Sequence, residues 1–123
     1  MATLAPIVGF TLPKNAAEDS FNLLPAYQGK AREPLRPSIV HHSIDGVFSI
    51  REGAWKLELG LGSGGFSSPK VEQPTPNGPL GQLYNLADDP AETRNLWKER
   101  PEIVKRLTAL LDQQRSKGHS RPL

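Results

Sequence analysis

Arg36-Pro-Ser-Ile-Val-His-His-Ser-Ile-Asp-Gly-Val-Phe-Ser-Ile-Arg-Glu-Gly-Ala-Trp-Lys-Leu-Glu-Leu59 writes three strands and two turns in succession. Residues 38–42 read as the first strand. Residues 47–51 alternate Val47, Ser49 and Arg51 on one face with Phe48 and Ile50 on the other. Residues 55–59 alternate Trp55, Leu57 and Leu59 against Lys56 and Glu58. Period-two alternation is the mark of a half-buried strand. Glu52-Gly53 and Asp45-Gly46 are tight-turn signals. Strands joined by such short loops must pair antiparallel.

Working outward, Gly81-Gln-Leu-Tyr-Asn-Leu-Ala-Asp-Asp-Pro-Ala-Glu-Thr-Arg-Asn-Leu96 supplies a fourth strand over residues 82–86. A helix start is expected next, with Asp89 as cap, Pro90 at the first helical position and Glu92 at the reciprocal capping position. The main helix begins at Pro101 and runs to about Lys117, where Gly118 ends it. Ile103, Leu107, Leu110 and Leu111 form its apolar stripe, which Val104 widens. One face of the sheet is the partner that stripe needs. Upstream, a short helix fits residues 20–28, with Asp19 or Ser20 as cap and Gly29 as stop. Phe21, Leu24 and Tyr27 share one of its faces. The expected fold class is α+β: a small four-stranded antiparallel sheet packed against a C-terminal helix, with long Pro/Gly-rich loops.

The 123 residues have room for one small domain, and 12 prolines with 11 glycines shrink its packed core further. These residues crowd the first fifteen positions, residues 29–37 and residues 60–81. No cysteine is present, which removes disulfides, thiolate metal sites and cysteine nucleophiles. No window approaches the roughly 18 apolar residues of a membrane span. The start, Met1-Ala-Thr-Leu-Ala-Pro-Ile-Val-Gly-Phe10, is apolar but lacks the basic segment of a signal peptide. Fifteen Lys and Arg lie scattered among 13 Asp and Glu, without the clustered face that a nucleic-acid partner requires.

Several motifs carry a competing bland explanation. Gly60-Leu-Gly-Ser-Gly-Gly65 matches G-x-G-x-x-G after a strand, but a dinucleotide site needs a helix to open at the last glycine. Prolines at 69, 74, 76 and 79 forbid one. A flexible loop overhanging a pocket on a partner domain is the better reading, with Ser63 and Gly64 as candidates. His41 and His42 end the first strand, with Asp45 close by. Neighbours on a strand point to opposite faces, so the two histidines cannot line one site without a bend. Asp88 and Asp89 suggest a metal pair, which capping by Asp89 and a turn at Asp88 explain without metal. Trp55 and Trp97 sit in apolar repeats as core anchors. His119 lies in a basic tail and reads as surface.

In order along the chain, residues 17–25, residues 40–51, Trp55-Lys-Leu57, Gly81-Gln-Leu-Tyr-Asn-Leu86, Asp89-Pro90-Ala91-Glu92 and Asn95-Leu96 resemble the C-terminal subdomain of the sulfatases, which hydrolyse sulfate esters. The likeness is to bacterial arylsulfatases of the N-acetylgalactosamine-6-sulfatase kind. It covers nearly the whole chain. Residues 1–15 then read as an apolar leader, a remnant of the upstream large domain, and residues 16–123 as the subdomain.

The resemblance implies a formylglycine nucleophile made from C/S-x-P-x-R and a calcium ion, both expected only in the missing catalytic domain. Here Ser67-Ser-Pro69 is followed by Lys70 and Val71, so the required arginine is absent. No catalytic or metal residue carries over. The chain is therefore expected to be inactive alone. It should pack on the missing sulfatase catalytic domain and help wall its substrate cleft through His41, His42, Ser63 and Gly64. The alternative is a free-standing binding module for a sulfated sugar or a protein partner. Leu4, Ile7, Val8 and Phe10 lack an obvious partner, so the leader is expected to be disordered or packed on another copy, and the chain to self-associate.

Overall fold

A computed structural model describes residues 1–65 and 67–121. Among these, strands β1 (Ser38–His42), β2 (Phe48–Glu52), β3 (Trp55–Glu58) and β4 (Gln82–Asn85) form one antiparallel sheet in the order β1-β2-β3-β4. Helices α1 (Leu24–Tyr27) and α2 (Pro101–Lys117) and a short 3-10 helix, Ala5–Val8, complete the elements. The α+β class and the sheet-on-helix arrangement follow the sequence expectation. No helix of the described residues is long and apolar enough to cross a membrane.

The chain divides into two compact units. One comprises residues 1–37 and 113–123 and the other residues 38–112, so the division falls within α2.

In the second unit the core is a cluster of fully buried Ile50, Leu57 and Leu83 from the sheet with Leu107 and Leu111 from α2. Ile103, Val104 and Leu110 pack against it, as do Trp55 and Trp97. The helical stripe therefore finds the partner its periodicity demands. Burying apolar surface contributes roughly 25 cal/mol per Å². Strand β4 is an edge whose backbone would stay open, and the chain closes it with its own residues 95–97. Asn95 Oδ1 accepts from the amides of Leu83 and Trp97, both at 3.0 Å, and its Nδ2 donates to the Gly81 carbonyl at 3.0 Å. Leu96 N donates to Leu83 O at 2.7 Å. An asparagine side chain thus stands in for a neighbouring strand. Gly81 is required beside it: a Cβ there would lie 2.4 Å from both the Glu58 carbonyl oxygen and the Trp97 ring.

Three local expectations are corrected. The hairpin turn is Gly53-Ala54 rather than Glu52-Gly53, because Glu52 pairs with Trp55 to close a two-residue loop. No helix starts at Asp89. Asp89 does accept, from Thr93 Oγ1 at 3.1 Å and Arg94 N at 2.8 Å. Glu92, however, adopts φ 55 and turns the chain away from the helical path. The upstream helix shrinks to α1, a single turn capped by neither Asp19 nor Ser20. Asp19 instead accepts from Ser120 N at 2.9 Å, and Ser20 Oγ accepts from Ala2 N at 2.9 Å. The expected stop holds, with Gly29 at φ 67.

Residues 1–15 lie wholly within the first unit. The leader is not disordered. Ala2 and Ala5 are buried, Leu23 N donates to Thr3 Oγ1 at 3.1 Å, and Arg121 Nη2 donates to Pro13 O at 3.3 Å. Arg36 stacks over Phe21, 4.7 Å from its ring centre.

Candidate functional site

Strand register decides which side chains can meet. His41 pairs with Ser49, Ser49 with Glu58, and Glu58 with Gln82. Ile39, Arg51, Lys56 and Tyr84 form the adjacent row. Directly opposed residues share a face of a sheet. Both rows therefore lie on the face turned away from α2, while Val40, Ile50, Leu57 and Leu83 form the core row on the other. His41 belongs to the polar face. His42 belongs to the helix-side face, where its ring lies 5.8 Å from that of Phe48 and its Nδ1 is 3.0 Å from Ser43 O. Both histidines are exposed.

The glycine-rich loop returns over this polar face. Ser63 N donates to Pro69 O at 2.9 Å, Gly64 N to Lys70 O at 2.8 Å, and Glu72 N to Leu61 O at 3.2 Å, so residues 61–64 and 69–72 run as a pinned pair. Gln82 ties the loop to the sheet by donating from Nε2 to Gly60 O at 3.0 Å and Gly62 O at 2.9 Å. Gly64 is buried at φ 60, and a Cβ there would come within 3.1 Å of Ser43 Cβ and 3.4 Å of Glu58 Oε1.

Between loop and sheet lies a pocket of about 600 Å³, with Lys56, Glu58, Gln82, Tyr84 and Glu92 in its wall. Lys56 Nζ donates to both oxygens of Glu92, at 2.8 and 2.7 Å, and stands 3.9 Å from Glu58. Tyr84 Oη donates to Gln82 Oε1 at 2.7 Å. Burial pushes the Glu58 carboxyl above its ordinary pKa; Lys56 opposes that shift and Glu92 adds to it. Burial also raises the Tyr84 phenol, with further contributions from Glu92 and Glu58.

Of the four residues proposed for a cleft, Ser63 lines this pocket, Gly64 packs behind it, and His41 shares its face of the sheet. His42 lies on the other face. The pocket's Lys56, Glu58, Gln82, Tyr84 and Glu92 were not read from the sequence as site residues, and Glu92 was read as a helix-capping residue. The alternation that turned Trp55 and Leu57 toward the core marked Lys56 and Glu58 as an outer face, and nothing local announces that a loop 60–72 will cover it.

A second hollow, of about 440 Å³, is lined by Trp55, Asp88, Asp89, Arg94 and Arg100 among others. Asp88 accepts from Asn85 at 2.6 Å and Arg94 pairs with Glu99 at 2.7 Å. The hydrogen bonds to Thr93 and Arg94 hold the Asp89 carboxyl below its ordinary pKa. Both aspartates hold turns, Asp88 through Asn85 and Asp89 through Thr93 and Arg94, and Asp89 caps no helix. Among the described residues, no three His, Cys, Asp or Glu side chains are grouped to hold a metal ion.

No family model matches the chain. Over 116 residues it is 34% identical to an N-acetylgalactosamine-6-O-sulfatase of Bacteroides thetaiotaomicron, which aligns 90% of this chain. The chain is a sulfatase homologue. A solved structure from work on the metabolism of multiple glycosaminoglycans by Bacteroides thetaiotaomicron superposes with a TM-score of 0.71 at 30% identity, over 94% of this chain. The structure described as Ps i-CgsB shares the fold, with a TM-score of 0.57 at 20% identity over 91% of this chain. The sulfatase homologue spans 21% of the length of its curated relative, and 24% and 22% of the two solved chains. That likeness is consistent with the C-terminal subdomain of a sulfatase.

Proposed function

We propose that this chain acts as the C-terminal subdomain of a sulfatase, packing on a catalytic α/β domain and helping to wall its substrate cleft. The observation that carries the reading is the 34% identity to a sulfatase running through 90% of the chain while touching only 21% of the relative. The nucleophile belongs to the catalytic domain in this reading, because Ser67-Ser-Pro69 leads into Lys70 and Val71 rather than an arginine. Calcium is assigned there as the resemblance to sulfatases implies. Ser63 and Gly64 on the loop, and His41 on the polar face, are the residues proposed to border the cleft.

Two measurements test this. The isolated chain, given an aryl sulfate and calcium, is expected to give no turnover above background; turnover would overturn the proposal. In the second, the chain replaces the aligned segment of the Bacteroides thetaiotaomicron sulfatase. The chimera is expected to fold and retain activity, and an insoluble or inactive chimera counts against the subdomain role.

A further inference from the structure

The pocket under the glycine-rich loop has a charge balance unsuited to the anion that a sulfatase attacks. Its walls carry three carboxylates, Glu58, Glu72 and Glu92, against one ammonium, Lys56. Both oxygens of Glu92 already engage that ammonium. A sulfate or uronate entering here would meet a net charge of about −2, three minus one, with its one cation engaged. At a few ångströms, near a protein surface, such repulsion is worth about tenfold or more in affinity.

The rest of the lining has a different character. Ser68 and Thr75 bring hydroxyls and Gln73 a side-chain amide, each able both to donate and to accept. Leu61 and Pro79 supply apolar surface. At about 600 Å³ the pocket falls within the roughly 300–1,000 Å³ typical of small-molecule sites. Mixed donors and acceptors beside small apolar patches match the hydroxyls and C–H faces of a neutral sugar ring.

We propose that this pocket binds an uncharged, hydroxyl-rich sugar unit and rejects a sulfated one, so that the chain reads a neutral residue of a glycan rather than the ester. In taking a glycan as ligand, the proposal rests on the reading of the chain as part of a sulfatase. The loop supplies one wall and Gln82 holds that loop to β4, so sheet and loop together set the pocket's shape.

The test is an amide NMR titration of the full chain with N-acetyl-D-galactosamine and, separately, with its 6-sulfate. The neutral sugar is expected to shift Ser68, Thr75 and Gln82, and the sulfated one to bind at least about tenfold more weakly. Glu72 is exposed, so Glu72→Lys should fold normally and is expected to narrow that gap. Three results overturn the proposal: no shifts with the neutral sugar up to its solubility limit, equal or tighter binding of the 6-sulfate, or a gap that Glu72→Lys leaves unchanged. None of them affects activity in the chimera, so failure here is distinguishable from failure of the subdomain reading.

Discussion

Glu58 is a carboxylate held where its charge is least welcome. Burial is the largest influence on it, outweighing the Lys56 ammonium 3.9 Å away, and Glu92 adds to the upward shift. The native chain therefore binds this proton more readily than the unfolded chain does. Its contribution to stability is fully present below the unfolded value, about 4.3 for a glutamate, and is lost as pH rises through the raised native value. Glu58→Gln imitates the protonated form. The variant is expected to match the parent in acid and to exceed it in stability near neutral pH. Urea unfolding midpoints on either side of the transition would measure this. Asp89 shifts the opposite way, so its stabilisation is lost as pH falls, but both proteins share that loss and it cancels in the comparison. A Glu58→Gln chain less stable at neutral pH would mean that the Lys56 contact outweighs burial.

Among the elements, the sheet and α2 were legible because each declares a period. Val47 to Leu59 alternates, α2 repeats its leucines at helical spacing, and Gly46 and Gly53 mark the two turns. What failed depends on distant partners. The segment after β4 has every local sign of a helix start. Yet Glu92 is drawn to Lys56, 36 positions earlier in the chain, and no local propensity encodes that pairing. The roof of the pocket was hidden for the same reason. Residues 61–64 and 69–72 pair through backbone groups, in a stretch whose glycines and prolines read only as loop. The legible part can be tested at Leu107. Its side chain is fully buried among Ile50, Leu57, Leu83 and Leu111. Leu107→Ala is expected to cost about 2–5 kcal/mol in chemical denaturation. A loss under about 0.5 kcal/mol, the size of a surface change, would remove α2 from the core.

On the scale of the whole molecule, the second unit has a closed core and the first leaves much apolar surface outside. Met1, Leu4, Ile7, Val8 and Phe10 are each more than half exposed, from 56% to 74%. The 3-10 helix that carries Ile7 and Val8 is anchored by small residues instead, with Ala5 buried within it and Ala2 just upstream. The leader is thus ordered from beneath and apolar on top. Soluble proteins that stand alone seldom keep such a patch, which commonly marks a contact surface or an association liability. In the proposed parent enzyme a neighbouring domain would cover it. The isolated chain, offered no such cover, is expected to self-associate, with a mass in light scattering that rises with concentration. Ile7→Lys with Val8→Lys places charge on the exposed face and leaves Ala2 and Ala5 in place. That variant should lower the mass toward a monomer's without changing the unfolding free energy by more than about 0.5 kcal/mol. A parent chain that stays monomeric at high concentration would show that these side chains are tolerated in water, and the case for a covering domain would then rest on the sequence likeness alone.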